Sequence, residues 1–277
     1  MSTILVRYCE IGLKSTPVRI RFEDILRNNM LTMLASDGIE ALVSYADARY
    51  YIESEDIDGC VKSIKRVFGI GSLSVTEVCT SQMDDVCKTA AEYSVGRLSE
   101  GQSFAVKARR EGTHPYKSME IAKEAGSAIF LRNEHLGIKV DLTNPDHIFY
   151  IEIRNNKAYI FDEYIPCPGG LPLGSQGRVS ADVEDDRGLV SAWMMMKRGC
   201  RVIVNGDYGN ELLRRYDPYL KTKEDDKDIL GKVKGISLED LPKVDVSAYD
   251  VPVYFPTIGM SDDDVQSLLN SMRTSEF

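Results

Sequence analysis

The sequence predicts a mixed α/β fold with an α+β arrangement in its N-terminal part. Strand-like and helix-like hydrophobic patterns alternate along the chain, which is the first reason for this class. The second is the composition: 43% hydrophobic and 28% charged residues over 277 positions are typical of a globular protein. Collagen-like and wholly disordered chains are excluded. The length allows roughly two domains of about 100 to 150 residues each.

The N-terminal region predicts a ferredoxin-like domain, assigned to residues 1–78. Its helix has apolar residues at helical spacing, and its two central strands are joined by a turn around Asp47. The order β-α-β-β-α-β is a split β-α-β arrangement. The predicted elements are strand 3–8, helix 17–34, strands 41–45 and 49–52, helix 57–67 and strand 73–78.

A second α/β region is predicted over residues 79–165. Its first helix is expected to bury Val86, Ala90, Tyr93 and Val95, and its second helix is expected to turn Leu131 and its helical neighbours inward. Asn155-Asn156 marks a hairpin turn. The predicted elements are helix 82–98, strand 103–108, helix 118–136 and strands 139–142, 147–153 and 157–164.

Residues 166–177 are predicted to be a linker or a shaped loop, because three prolines and four glycines fall within residues 165–177. A third α/β region is assigned to 178–277. Gly199 is a helix stop between a helix and a strand there. The polar stretch 206–246 gives no clear pattern. The predicted elements are strand 179–183, helix 189–198, strand 201–204, a strand in 251–259 and a helix from 261.

The net charge of −9 argues against a non-specific polyanion binder driven by global charge, although a local basic face stays open. Six scattered cysteines and three scattered histidines predict reduced, buried or partly buried thiols and no metal site. The apolar runs are far shorter than the roughly 18 residues of a membrane span. Arg7 and Glu10 interrupt the core that a signal peptide requires. We expect a cytoplasmic protein with no membrane partner.

The chain contains in this order the motifs ILVRYCEIGLKS, FAVKARREGTHPYKSMEI, KVDLTNPDHIFYIEIRNNKAYIF, CPGGLPLGSQGRV and WMMMKRGC. Together they resemble the tRNA 4-thiouridine synthetase family, the ThiI-type tRNA sulfurtransferases. The resemblance covers residues 1–204 and weakly FPTIGMSDDDV at 255–265, and it implies three parts: a ferredoxin-like domain, a THUMP domain that binds the tRNA acceptor end, and a Rossmann-like PP-loop domain that uses ATP. It also implies a homodimer.

The nucleotide loop implied by the resemblance is altered in this chain. The family loop has the form SGGxDS, in which glycine amides approach a pyrophosphate closely. Both glycines are replaced here, and each carboxylate near a phosphate at about 4 Å costs about 1 to 4 kcal/mol. We therefore predict a degenerate loop in a shortened PP-loop-type domain. Its six positions are Val183, Glu184, Asp185, Asp186, Arg187 and Gly188.

The acidic residues of this loop allow two interpretations. They form a solvated or helix-capping turn, which we favour, or they hold a hard cation such as Mg²⁺. The resemblance also implies a late cysteine that carries persulfide sulfur, but no cysteine follows Cys200, which is expected to lie in the core. Thr257 and Ser261-Asp262 replace the family's leucine and aspartate-lysine. No catalytic residue is assigned.

A basic region lies within the predicted THUMP domain. Residues 101–140 contain seven lysines and arginines against four glutamates. Cations bind phosphates, and aromatic rings stack on unpaired bases, so this region predicts an RNA surface. The alternative is that the charges only solubilise the face. Arg7 and Lys14 are weaker candidates to extend the surface. The candidates are Lys107, Arg109, Arg110, His114, Tyr116, Lys117 and, in a turn, Asn144.

Three functional hypotheses follow. The first is a tRNA-binding THUMP protein that binds the acceptor 3′ end without its own ATP-dependent adenylation or persulfide chemistry, and that needs no cofactor. The second is a tRNA uridine 4-sulfurtransferase, linked to thiamine-pathway sulfur transfer, which uses ATP and Mg²⁺ and acts with a sulfur-donor or ATPase partner. The third is a nucleotide or metal sensor built on the altered loop.

Overall fold

The computed structural model describes residues 2–222 and 228–277, so residues 223–227 of the predicted polar stretch 206–246 lie outside the described residues. The chain divides into two compact units. None of the helices in the described residues combines the length and apolarity that crossing a membrane requires. The first unit comprises residues 1–5, 44–57 and 74–165, and the second comprises 6–43, 58–73 and 166–277.

The first unit is built on one sheet, in which nine strands take part within the described residues. The strand order is β2-β3-β1-β4-β8-β7-β5-β6, and β9 pairs with β4. This order, with helices following β1 and β3, confirms the predicted mixed α/β class and its ferredoxin-like N-terminal part. The strands are β1 (Thr3–Tyr8), β2 (Leu42–Ala46), β3 (Arg49–Glu53), β4 (Ile70–Thr80), β5 (Ser103–Glu111), β6 (Lys139–Val140), β7 (His147–Arg154), β8 (Lys157–Phe161) and β9 (Ile165–Pro166).

The two faces of the sheet around β5, β7 and β8 differ. Strand β5 runs parallel to β7, and β7 is antiparallel to β8 across the Asn155-Asn156 turn. Helices α3 (Met83–Tyr93) and α4 (Ser118–Arg132) contribute to a buried cluster with Phe104, Phe149 and Ile151. A second cluster, on the opposite face, contains Leu5, Tyr51, Tyr159 and Phe161.

Several helices and strands of this unit are shorter than the sequence predicts. Helix α3 ends at Tyr93, not residue 98, because Gly96 has a left-handed φ of +77°, and Val95 is 48% exposed. Helix α4 ends at Arg132, where the Asn133 side chain donates to the Ile129 carbonyl. Leu131 lies inside α4 but is exposed, because the buried face of the helix carries Ile121, Ala125 and Ile129. The strand predicted over 139–142 is only Lys139–Val140, and that predicted over 157–164 ends at Phe161.

The second unit carries a parallel sheet in the order β12-β11-β10-β13-β14. The chain leaves the central strand β10 toward β11 on one side and returns on the other side with β13. Ligands of open parallel sheets bind beyond the carboxyl ends of the strands at such a reversal. The strands are β10 (Arg178–Asp182), β11 (Arg201–Asn205), β12 (Lys221–Thr222), β13 (Lys232–Lys234) and β14 (Val253–Tyr254).

The helix that follows β10 packs on this second sheet around one aromatic core. Trp193 is buried, with its ring 5.3 Å from that of Phe68 and 5.8 Å from that of Tyr216. The strand predicted in 251–259 is only Val253–Tyr254, and Thr257 beyond it is buried. The helices of the unit are α1 (Thr16–Ser36), α2 (Ile57–Ile64), α5 (Asp186–Lys197), α6 (Asn210–Arg214) and α7 (Asp262–Thr274).

The glycine- and proline-rich segment 166–177 is a shaped loop packed against the end of α5. The Leu171 amide donates to the Lys197 carbonyl at 2.9 Å, and the Gly174 amide donates to the Gly199 carbonyl at 2.9 Å. Gly170 has a φ of +76°, and a Cβ atom there would clash with the Lys197 carbonyl. The segment is therefore held by backbone hydrogen bonds, which a free linker would lack. The domain boundaries taken from the sequence stay predictions.

Candidate RNA-binding surface and the altered loop

Two of the predicted cations lie side by side on the face of the first-unit sheet opposite α3 and α4. Successive side chains of a strand point to opposite faces, and Val106 and Ala108 of β5 pack against the helix-side cluster. Lys107 and Arg109 consequently point to the other face, where both are exposed. Neither side chain has a hydrogen bond or ion pair within residues 2–222 and 228–277. These two charges are free to bind a ligand.

Arg110 and Lys117 lie at the two ends of the loop that follows β5. The alternation of β5 places Arg110 on the helix side of the sheet, and its Nη1 donates to the Gly112 carbonyl at 3.1 Å. Lys117 is exposed, and its backbone amide donates to the Glu120 carboxylate at 2.6 Å, which closes the first turn of α4. Arg110 therefore lies on the opposite face of the sheet from Lys107 and Arg109, and Lys117 lies at the start of α4.

The aromatic residues of this loop are less accessible than predicted. His114 is partly buried, and its Nε2 lies 2.5 Å from the Asn155 carbonyl oxygen. Tyr116 is 7% exposed, and its hydroxyl donates to the Ser81 carbonyl. Burial raises the pKa of Tyr116. The prediction that Tyr116 stacks on a base is corrected, because its ring belongs to the core of the unit.

Asn144 lies in the exposed turn between β6 and β7. Its amide and that of Thr143 donate to the Asp141 carboxylate at 3.0 and 2.8 Å. These backbone hydrogen bonds lower the pKa of Asp141. The turn is shaped by Asp141, so the side chain of Asn144 stays exposed.

The parallel register adds aromatic neighbours that the sequence did not assign to the surface. Lys107 pairs in register with Tyr150, which in turn pairs with Phe161. The Tyr150 and Phe161 rings stack with centroids 5.3 Å apart, and Tyr164 meets Tyr150 edge-on at 4.7 Å. The alternating apolar pattern of residues 147–154 predicts a strand. Only the register of that strand with β5 shows that Tyr150 lies beside Lys107.

At the carboxyl end of β10, the second unit holds an internal ion pair. Lys234 Nζ donates to Asp182 Oδ2 at 2.6 Å, and Asn205 Nδ2 donates to Asp182 Oδ1 at 3.2 Å. Burial opposes ionisation of Asp182, but the hydrogen bonds from Lys234 and Asn205 outweigh it and lower its pKa. Lys234, at the end of the neighbouring strand β13, is thus already paired within the chain.

The acidic side chains of the altered loop have structural partners. The Asp185 carboxylate accepts a hydrogen bond from the Gly188 amide at 2.8 Å and is the N-cap of α5. The Asp186 carboxylate accepts from the Tyr208 hydroxyl and the Gln266 amide, both at 2.7 Å. Glu184 is exposed, and the preceding Val183 is buried. Among the described residues, no group of three or more His, Cys, Asp and Glu side chains could hold a metal ion.

Arg187 ties this loop to the C-terminal segment of the second unit. Its guanidinium donates to the carbonyls of Thr257 and Met260 at 3.2 and 3.0 Å, and to the Asp262 carboxylate at 2.6 Å. The side chain is 15% exposed. Sequence reasoning missed this role, because the acceptors lie 70 or more positions away in the chain.

Two neighbouring backbone segments pack closely against the altered loop. A Cβ atom at Gly206 would clash with the Val183 carbonyl, and one at Gly235 would clash with the Arg187 carbonyl and the Gly188 amide. The segments that follow β11 and β13 therefore run directly against the loop. Cys200, at the other end of α5, is 6% exposed, and burial raises its pKa, which disfavours a reactive thiolate.

Two family models match the chain. The ThiI ferredoxin-like domain matches residues 3–74, and the THUMP domain matches residues 80–163. Together with the strand order described above, these matches define a THUMP-domain protein of the ThiI type.

A probable tRNA sulfurtransferase from Methanocaldococcus jannaschii is 37% identical over 262 residues, which cover 86% of this chain and 68% of that relative. The chain belongs to the tRNA sulfurtransferase family, and the resemblance found in the sequence is confirmed. It spans about half the length of other curated relatives that it matches.

Two solved structures share the fold. PH1313 from Pyrococcus horikoshii is 27% identical, with a TM-score of 0.82, and the match covers 99% of this chain and all of that one. A 4-thiouridine synthetase in a complex with RNA and bound ATP is 20% identical, with a TM-score of 0.79, and the match covers 99% of this chain and 86% of that one.

Proposed function

We propose that this chain is a tRNA-binding protein that holds the acceptor 3′ end on its first unit and does not itself perform ATP-dependent adenylation or persulfide transfer. The observation that carries the proposal is the pair of free cations, Lys107 and Arg109, on an exposed sheet face beside Tyr150. The THUMP match and the RNA bound to the related 4-thiouridine synthetase support tRNA as the ligand. A tRNA ligand also makes the cytoplasm the proposed site of action.

The altered loop supports the second half of the proposal. A pyrophosphate would meet the carboxylates of Glu184 and Asp185 where glycines would let it approach. Lys234, at the end of β13 beside the central strand, is paired with Asp182 at 2.6 Å. We propose that any chemistry on the bound tRNA comes from a partner protein that supplies ATP hydrolysis or sulfur.

The second candidate function is tRNA uridine 4-sulfurtransferase activity in which this chain itself binds ATP while a partner supplies the sulfur, and family membership favours it. It requires the chain itself to bind ATP with Mg²⁺. Equilibrium binding of fluorescent ATP to the purified chain distinguishes the two functions, because our proposal expects no saturable binding at millimolar MgATP.

The experiment that tests the RNA surface is a tRNA titration of Lys107→Ala combined with Arg109→Ala at several salt concentrations. Each lost phosphate contact reduces the salt slope by about 0.7 to 0.9, so the double variant should lower it by about 1.4 to 1.8. We expect affinity at low salt to fall at least about tenfold.

The matched control removes two exposed cations from the second unit, Arg198→Ala with Lys243→Ala. It changes net charge equally and should leave the salt slope unchanged. Equal slopes for the parent and the Lys107/Arg109 variant would show that the chosen surface is wrong.

A further inference from the structure

A cleft of about 460 Å³ opens in the first unit next to the loop after β5, because the carbonyl oxygen of Asn155 in its lining lies 2.5 Å from His114 Nε2. Its volume lies within the range of about 300 to 1,000 Å³ that is typical of small-ligand sites. Strands β2, β3, β4 and β8 and the turn after β7 contribute to it. Its walls and floor include Ser44, Tyr51, Glu53, Asn156, Lys157 and Tyr159.

The floor of the cleft is aromatic. The rings of Tyr51 and Tyr159 stack with centroids 5.0 Å apart and planes 27° apart. Both residues are largely buried, at 6% and 5% exposure. Burial raises the pKa of both hydroxyls, so the phenols stay neutral at physiological pH. The floor is therefore closed and uncharged, so a ligand would meet chiefly the polar side chains of the walls.

The walls offer both donors and acceptors that the chain does not use. The side chains of Glu53, Asn156 and Lys157 make no hydrogen bond or ion pair with other residues in the described part of the chain. Asp47 and Glu53 balance Arg154 and Lys157 around the cleft, so its formal charge is zero. Neutrality disfavours a free phosphate, whereas mixed donors and acceptors suit the polar edge of a heterocyclic base.

The cleft shares a sheet face with the free cations. Tyr159 is in register with Glu152, and Glu152 is in register with Arg109, so the three form one row across β8, β7 and β5. Adjacent strands are about 4.8 Å apart, which places the Cα atoms of Arg109 and Tyr159 about 10 Å apart. A chain bound by its phosphates at Arg109 therefore passes beside the cleft.

We infer that this cleft receives the base of an unpaired RNA nucleotide while Lys107 and Arg109 hold the neighbouring phosphates. The inference rests on the proposed tRNA binding and adds to it a residue-level site for a base. Tyr51 and Tyr159 close the bottom of the cleft, and Glu53 and Lys157 supply polar contacts to the base edge.

The test uses the full chain and an acceptor-stem RNA hairpin with a single-stranded 3′ tail that contains 2-aminopurine. Ala46→Trp places a large ring in the cleft from an exposed position of its lining. The matched control is Leu42→Trp, which is exposed on the same strand and face but outside the lining. Binding is followed by anisotropy, and base contact by 2-aminopurine fluorescence.

For the parent and for Leu42→Trp we expect binding to change the 2-aminopurine signal. For Ala46→Trp we expect the signal change to be lost and the affinity to fall at least about tenfold. The salt slope should stay unchanged, because the phosphate contacts remain. A blunt duplex should bind all three proteins equally.

A milder variant guards against misfolding. Glu53→Gln keeps the shape of an exposed side chain but removes the charged acceptor, and we expect it to weaken tail binding by about three- to tenfold. Glu55→Gln, exposed on the same segment but outside the lining, should bind as the parent does.

Three outcomes separate the inference from the proposal beneath it. Full binding and full signal change by Ala46→Trp and Glu53→Gln would overturn the inference while tRNA binding stands. If Ala46→Trp loses binding of free AMP but not of the RNA tail, the cleft serves a mononucleotide and the inference is also overturned. If the parent binds no RNA at all, the proposed function is wrong, and the inference that rests on it is wrong as well.

Discussion

The two units differ in what they do with their positive side chains. On the first-unit sheet, Lys107 and Arg109 are exposed and have no carboxylate partner in the described residues. At the carboxyl end of the second sheet, Lys234 is paired with Asp182, and Arg187 is bound to Asp262 and two carbonyls. A cation is available to a ligand only when its own chain leaves it free. Local charge pairing therefore separates a face with free cations from one whose cations are held within the chain.

The variant Arg187→Ala tests this difference between the two units with the largest expected effect. The mostly buried guanidinium satisfies two carbonyls as well as Asp262, so its removal leaves buried acceptors unpaired. We expect the free energy of unfolding to fall by about 2 to 3 kcal/mol, measured by urea denaturation, with unchanged tRNA affinity.

Asp262→Asn is the control for that variant, because the Asp262 side chain is 92% exposed and its ion pair is screened by solvent. It should change stability little. A loss of tRNA affinity in Arg187→Ala that exceeds its loss of stability would mean that the loop contacts RNA after all.

The next prediction concerns Tyr116→Phe. Because the hydroxyl donates to the Ser81 carbonyl inside the unit, its removal should cost about 1 to 2 kcal/mol of unfolding free energy. Thermal or urea unfolding measures this cost, and tRNA titration should show no change. A drop in affinity without a drop in stability would restore Tyr116 to the RNA surface.

The smallest expected effect is that of Asp182→Asn, about 1 kcal/mol at pH 7, since the Asp182 side chain is 34% exposed and its pairing is screened. The pKa of Asp182 is lowered in the folded chain. Its contribution is therefore present above the unfolded pKa of about 3.9 and is lost as the pH falls through the lowered value.

Denaturation of the parent and of Asp182→Asn should accordingly differ at pH 7 and at pH 5, and the difference should vanish in strong acid. Lys243→Ala, which removes an exposed ion pair with Asp240, should show no such pH dependence of comparable size. A difference that persists in strong acid would contradict the assigned ionisation.

Local pattern predicted the elements that depend on local sequence. The helix after the first strand was predicted over 17–34 and spans Thr16–Ser36, with a proline in its first turn. Strand β1 was predicted at its observed bounds, Thr3–Tyr8. In both elements, hydrophobic spacing and capping residues lie within a few positions of each other, so the sequence contains the whole signal.

The site depended on contacts between distant positions and was only partly predictable. Exposed Lys107 and Arg109 followed from the local excess of positive charge, but the burial of Tyr116 depends on Ser81, 35 positions away. The pairing of Asp182 with Lys234 joins residues 52 positions apart. No periodicity within one segment reveals such pairs, because parallel strand register is set by tertiary packing.

The measurement that tests the central claim most directly is a titration of the purified chain with total tRNA and with tRNA lacking its 3′ CCA, at two salt concentrations, with and without MgATP. We predict salt-sensitive binding that requires the 3′ end and is the same with and without MgATP. Tightening by MgATP, or ATP turnover, would contradict the account and favour the sulfurtransferase activity. Absence of tRNA binding would show that the chain has the family fold without the proposed function.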